Sequence, residues 1–321
     1  MSKKLLVTSY NNPDLDGTGC AYGYAELLRI QGEDAIAALF GVPHREAQFV
    51  LNTFKIPELP NAEQLLSEYK DVILVDASDT EGISSSIHTD QVVEIIDHRK
   101  INQANMFPNA KVQVELVGSA ATLIAEKYFN QHIPISEESA ILLYSAIISN
   151  TINFQANVTT ERDKKMANWL NSKLDLPHDY IHSMFADKSI LNEPLREVFE
   201  HDFATFTFSN KHIGIMQLEI INVDEFINSK LEEIKKVLSE MKDEKKLEYI
   251  FLTAIDLEKA TNTFLIIDLE TQKLLEKALE VTFQRDIAHK SGIMMRKTIT
   301  PLVKHVLELE FDNSEKSDKH D

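Results

Sequence analysis

Three stretches of the chain carry residues whose types and spacing suit metal chemistry. In TSYNNPDLDGTGCA, residues 8–21, Asp14 and Asp16 stand two positions apart. Asp76 closes the apolar run VILVD, and Asp97, His98 and Arg99 close VVEIIDHR. Carboxylates with an imidazole form a donor set for a hard or borderline divalent cation. Each piece also has an ordinary reading. Asn12-Pro13-Asp14 is a turn signal with Asp16 as the N-cap of a helix, Asp76 suits a cap, and a lone His98 suits a hydrogen-bonded surface or core position. The two readings of Asp16 are compatible, because a residue near a helix start can still face a cation.

Position in the fold is what joins these pieces. Short β-rich runs are expected at 4–10, 34–41, 71–78, 92–97 and 112–118, with helical patterns at 17–31, 45–55 and 61–70 between them. This alternation predicts an α/β fold, a mostly parallel sheet with crossover helices. Ligands of such sheets gather at the carboxyl ends of the strands. The first, third and fourth strands would therefore deliver Asp14, Asp16, Asp76, Asp97 and His98 to one edge. Independent caps have no reason to be accompanied by D-H-R after a further apolar strand.

After residue 118 the pattern changes to consecutive helices at 119–131, 136–151, 159–174 and 178–187, the third opened by the Thr cap and early acids of TTERDKK. A break lies within 188–202. Beyond it come alternating runs, a long charged helix over 223–248, two strands within 249–268 and a basic stretch, SGIMMRKTITPLVKHVLELE. The predicted organisation is a first domain over 1–188, a linker over 189–196, a smaller α/β domain over 197–312 and a disordered tail over 313–321.

The bulk composition narrows the function classes. The 321 residues suffice for two cores, and 43% hydrophobic with 26% charged content is that of a soluble globular chain. No apolar stretch approaches the roughly 20 residues that cross a bilayer, so no membrane partner is expected. The run LLV is too short for a secretory signal, and the single cysteine, Cys20, allows no intrachain disulfide; both point to the cytoplasm. A formal charge of −18 argues against nucleic acid, whose phosphates are held by Lys and Arg. A small anion drawn in by metal and a few clustered basic residues remains open.

NNPDLDG, ILVDASD, IIDHRK and VELVGSAATLIAEKYF occur in the order and approximate spacing of the DHH phosphoesterase superfamily. The chain most resembles the branch with manganese-dependent (family II) inorganic pyrophosphatases and prune-like and yeast-type exopolyphosphatases. The resemblance continues through LLYSAIISNTINFQANVTTERDKKMANWL and reaches RKTITPL near the end, covering nearly the whole chain. It implies a DHH domain and a DHHA2-like domain closing over an interdomain cleft, with one or two Mn2+ or Mg2+ ions. By that resemblance Asp14, Asp16, Asp76, His98 and Asn150 are metal ligands, Asp76 bridging two ions, and Asp97 orients its neighbour. Asp76, His98 and Arg99 would be catalytic. Arg99, Lys100, Ser119, Arg296 and Lys297 would hold a small inorganic phosphate chain, pyrophosphate or short polyphosphate, under attack by water made acidic between cations. Dimers occur in the family, and a homodimer is open to this chain.

The chain departs from the family pattern at several positions. Tyr10 takes the place of the histidine in H-x-N-P-D-x-D, Arg99 that of the second histidine of D-H-H, and Asn150 that of a late aspartate. Prune-like members also carry D-H-R, and an arginine there grips phosphate bidentately. Ala204 and Met295 align with basic residues of the second domain. Ser119 reads equally as a phosphate site and as a plain N-cap. These changes leave a second function class open, a catalytically weakened relative that binds phosphate-rich ligands or a protein partner for regulation.

Overall fold

In the computed structural model, residues 3–100 and 102–317 are described, and they divide into two compact units between Lys188 and Ser189. The first unit opens with β1 (Lys4–Thr8), whose KLLVT buries all but its first residue. Helix α1 (Leu15–Ile30) follows, started by the Asp14 side chain accepting from the Gly17 N–H. Next come β2 (Asp34–Ala37), α2 (Arg45–Phe54), β3 (Asp71–Val75), β4 (Val92–Asp97) and β5 (Lys111–Val114). All four pairings are parallel, in the order β2-β1-β3-β4-β5. The chain leaves β1 in one direction for β2 and in the other for β3, so the carboxyl ends of β1 and β3 flank the point where strand order reverses.

Four helices complete this unit: α3 (Ala120–Gln131), α4 (Glu137–Asn150), α5 (Glu161–Asn171) and α6 (Tyr180–Lys188). Helices α1 and α4 pack closely because α1 carries glycine at the contact. A Cβ at Gly19 would stand 3.0 Å from the Leu142 carbonyl oxygen. Under the sheet, Leu6, Val72, Leu74, Val92 and Ile95 are fully buried, each worth about 1.5–3 kcal/mol in removed apolar surface.

The second unit runs α7 (Leu195–His201), β6 (Phe203–Phe208), β7 (Lys211–Ile220), α8 (Val223–Glu244), β8 (Tyr249–Asp256), β9 (Thr261–Ile266), α9 (Leu269–Leu279), β10 (Ile287–Ser291) and α10 (Arg296–Ser317). Its sheet has the order β10-β9-β8-β7-β6 and is antiparallel except for β7 with β8. The parallel pair is joined by α8, the long charged helix, whose Ile234, Leu238 and Met241 are buried. Two core clusters lie on the sheet, one including Ile234 and Leu238 of α8, the other Leu274 and Leu275 of α9.

Several expected elements differ. Residues 61–70 form only a short 3-10 turn at Ala62–Gln64, because Leu39 holds the chain there through Leu39 N–H to Pro60 O and Ala62 N–H to Leu39 O. The fifth strand stops at Val114 instead of 118, and the next residue stays against the end of β4, Glu115 N–H donating to Asp97 O at 3.1 Å. The break over 188–202 contains α7, whose Leu195 and Phe199 join the core. Both α9 and β10 escaped the reading of the sequence. Helix α10 runs to Ser317, into the stretch expected to be disordered, and 318–321 lie outside the described residues.

Candidate metal centre

Asp16, Asp76 and His98 each offer one ligand atom, all within 4.8 Å of one another. Asp76 directly follows β3, and its N–H still donates to Ile96 O, 2.8 Å, so the β3–β4 ladder holds its backbone in place. Its φ of 52° lies in the left-handed region. A non-glycine residue there costs about 1–3 kcal/mol, a strain that concentrates at functional sites. His98 follows the last residue of β4, and its Nδ1 lies 2.9 Å from Val117 O. A carbonyl can only accept, so Nδ1 carries the hydrogen and Nε2 is directed to the carboxylates. Nε2 stands 3.4 Å from Asp76 and 3.8 Å from Asp16.

Asp16 is fully buried in the first turn of α1 and faces the N-terminus of α3. It accepts from Ser119 Oγ at 2.9 Å, Ala120 N–H at 2.8 Å and Ala121 N–H at 2.9 Å. Cys20 Sγ, one turn along α1, donates at 3.4 Å, and Asn150 Nδ2 donates at 2.6 Å from the last turn of α4. The orphan N–H groups at the start of α3 are thus satisfied by a buried carboxyl group. Asp163, in the first turn of α5, fixes the entry to α3. It accepts from Gly118 N–H, Thr122 Oγ1 and Thr160, and there is no space for a Cβ at Gly118.

Electrostatically the centre favours a cation. Desolvation and the neighbouring Asp16 push the Asp76 carboxyl well above the usual range. Desolvation, then Asp16 and Glu46, also raise Asp14. Burial works to lower the His98 pKa, but the Asp76 hydrogen bond and the charge of Asp16 outweigh it, and the imidazolium persists to about 10. A divalent ion among these groups would displace the His98 proton and relieve the repulsion among the acids. Two buried carboxylates and an imidazole with its tautomer set are a fitting donor set for Mn2+ or Mg2+.

Asp97 is buried beside the group. It accepts from the His98 backbone N–H at 2.7 Å and from Ser78 Oγ. Asp14 lies outside the three-residue group, its Oδ1 taken by the Gly17 N–H at 3.0 Å. Tyr10 accepts the Asp14 N–H at its phenol oxygen, 3.0 Å. Burial, then the charges of Asp14 and Asp76, raise its pKa, so the phenol is neutral. Arg99 Nη2 donates to Asp76 O at 3.2 Å, and its guanidinium lies over the Tyr10 ring, 5.4 Å from the centroid. Lys100 is exposed. Ser119 caps α3 by accepting from Ala121 N–H and gives its own hydrogen to Asp16. Asn150 meets Asp16 through its amide nitrogen.

In the second unit Arg296, at the start of α10, donates through Nη1 to Asp202 O at 2.7 Å and through Nη2 to Asp202 Oδ1 at 2.6 Å. Lys297 is exposed beside it. Reading the sequence missed Ser78, Cys20, Val117 and Asp163. Only Asp163 carried a signal, as an early acid of TTERDKK, and that signal pointed to a helix start. Thr8 Oγ1, Ser9 Oγ and Thr18 Oγ1 are buried without a hydrogen-bond partner around the β1–α1 turn.

Comparison with known proteins gives concordant matches. The model of the DHH family, N-terminal domain, matches residues 4–147, and that of the DHHA2 domain matches 182–306. A probable manganese-dependent inorganic pyrophosphatase of Clostridium acetobutylicum is 30% identical over 94% of this chain and 98% of its own length. The manganese-dependent inorganic pyrophosphatase of Bacillus subtilis is 28% identical over 92% and 96%. Among solved structures, a provisionally assigned family II inorganic pyrophosphatase from Methanococcus jannaschii superimposes with a TM-score of 0.66 at 29% identity, covering 95% of this chain and 99% of that one. An exopolyphosphatase-related protein from Bacteroides fragilis shares the fold at a TM-score of 0.53 and 13% identity, covering 97% and 93%.

Proposed function

The chain belongs to the DHH family, with a DHH domain followed by a DHHA2 domain, and on that footing we propose that it is a metal-dependent phosphohydrolase. Its substrate is a small inorganic phosphoanhydride, pyrophosphate or a short polyphosphate. The observation that carries this reading is the convergence of Asp16, Asp76 and His98 within 4.8 Å. A regulatory binding module has no need of two buried carboxylates and a tautomer-fixed imidazole at one point.

Bound at this group, Mn2+, or Mg2+ in its place, supplies an acidified water near neutral pH and neutralises charge on the phosphoryl oxygens. Asp16, Asp76 and His98 hold the ion. Val117 O and Asp97 keep His98 in orientation, and Ser119, Ala120 and Ala121 do the same for Asp16. Arg99, with a fork of N–H donors beside Asp76, takes a phosphoryl oxygen pair, and exposed Lys100 extends the basic edge. In the DHHA2 unit Lys297 is exposed, whereas Arg296 is engaged with Asp202. The charge of −18 supports a small anion over nucleic acid, and the single cysteine supports a cytoplasmic setting. Among the described residues no helix is long and apolar enough to cross a membrane.

The test is phosphate release from pyrophosphate, tripolyphosphate and longer chains by the full chain with Mn2+ or Mg2+. Turnover that disappears in Asp76→Asn is expected. No release from any of these substrates with either ion would overturn the reading.

A further inference from the structure

Among the described residues, Asp16, Asp76 and His98 are the one group of three or more acids, cysteines and histidines close enough to hold an ion. A second ion beside them would rely on Asp14 together with Asp76, because Asp97 is taken by the His98 N–H and Ser78 Oγ. Asp14 already spends Oδ1 on capping α1. The side chain that could complete such a set, Tyr10, is a phenol whose oxygen is already engaged, accepting the Asp14 N–H at 3.0 Å. A phenol with its oxygen so engaged is outside the usual ligands of hard cations, which take carboxylates, carbonyls and water. A fixed positive charge also stands there. The Arg99 guanidinium rests on the Tyr10 ring, bonds Asp76 O at 3.2 Å, and lies within 4 Å of Asp97 and Asp79.

We propose that this chain takes one divalent ion, at Asp16, Asp76 and His98, and that the Arg99 guanidinium serves as the second positive centre for the substrate phosphate. The inference rests on the metal-dependent hydrolase reading and narrows it. Arg99 contacts substrate directly and is a catalytic residue in that sense. Its planar fork matches two phosphoryl oxygens, and the Tyr10 face and the Asp76 carbonyl hold it ready.

The experiment uses the full chain stripped of metal and titrated with Mn2+, followed by calorimetry and electron paramagnetic resonance. One ion per chain is expected, with the resolved hyperfine pattern of an isolated Mn2+. Asp14→Asn keeps the cap of α1 and leaves the Mn2+ Kd within about threefold, whereas Asp76→Asn weakens it at least about tenfold. In the Mn2+-loaded protein, Arg99→Met weakens inorganic phosphate binding by about tenfold without weakening Mn2+ binding, and Arg99→Lys recovers part of the loss. Two ions per chain with an exchange-coupled spectrum would overturn the inference and leave the hydrolase reading standing. So would an Asp14→Asn loss equal to that of Asp76→Asn, or phosphate binding indifferent to Arg99. No bound ion at all would remove both.

Discussion

Replacing Asn150 by Asp tests whether the centre is organised around a compensated Asp16. Asn150 Nδ2 donates to the buried Asp16 Oδ2 at 2.6 Å. A carboxylate at 150 removes a hydrogen bond to a charged group, worth about 1.5–3 kcal/mol, and sets two acids against each other. Their repulsion is bounded by the cost of protonating one of them at pH 7. At 1.36 kcal/mol per pKa unit over roughly three units, that bound is about 4 kcal/mol. The metal-free variant should therefore lose about 2–4 kcal/mol of stability at pH 7, with a Tm lower by on the order of 5–15 °C for a domain of this size. Mn2+ should reverse the order, because the new carboxylate adds a charged ligand where the amide turned its nitrogen to Asp16. The assay is urea unfolding of wild type and variant in chelator and at saturating Mn2+, followed by far-ultraviolet circular dichroism. A metal-free variant within about 0.5 kcal/mol of wild type would refute the argument. So would Mn2+ that stabilises the variant no more than it stabilises the wild type.

Metal affinity should rise with pH, on the order of tenfold per unit for one displaced proton, because His98 stays protonated up to about 10 in the free protein; Mn2+ calorimetry between pH 6 and 9 in two buffers of different ionisation enthalpy checks this. In the metal-free chain the raised His98 pKa contributes stability that is complete below its unfolded value of about 6.5 and is lost as pH rises through about 10. Gly118→Ala places a Cβ 2.6 Å from Thr151 Cγ2 and 3.0 Å from Asp163 Oδ2. That overpacking should cost about 1–3 kcal/mol and shift the entry to α3, lowering Tm and Mn2+ affinity together. Lys188→Met leaves the buried Glu46 carboxylate with Ser149 alone of its two hydrogen-bonded partners, Lys188 having stood 3.2 Å away. The expected loss in urea unfolding is about 2–4 kcal/mol, under the roughly 3–5 of a fully buried pair because Lys188 keeps 30% exposure. Burial works to raise the Glu46 pKa, but Lys188 and Ser149 outweigh it and hold the group below its usual value. Its contribution is therefore present above the unfolded value and lost as pH falls through the folded one.

The sequence alone determined the sheet and two members of the candidate metal group. Apolar runs of strand length bounded by polar residues located β1, β3 and β4. A residue that ends such a run is delivered to the carboxyl edge whatever the rest of the chain does, so Asp76 and His98 were legible. It put Asp14 and Asp16 forward together, and of the two only Asp16 lies in the group with Asp76 and His98. Two residues apart at a helix start, their side chains point in very different directions, and which one joins the group depends on what packs over α1. The N-terminus of α3 does so, bonding Asp16 from residues more than a hundred positions along the chain. The same holds for Asn150, whose amide nitrogen reaches Asp16 because α4 lies close along the glycine-bearing face of α1. Local pattern sets where a strand ends. Only the packing of distant helices decides which way a side chain at its mouth is turned, because that direction is fixed by contacts the neighbouring residues do not contain.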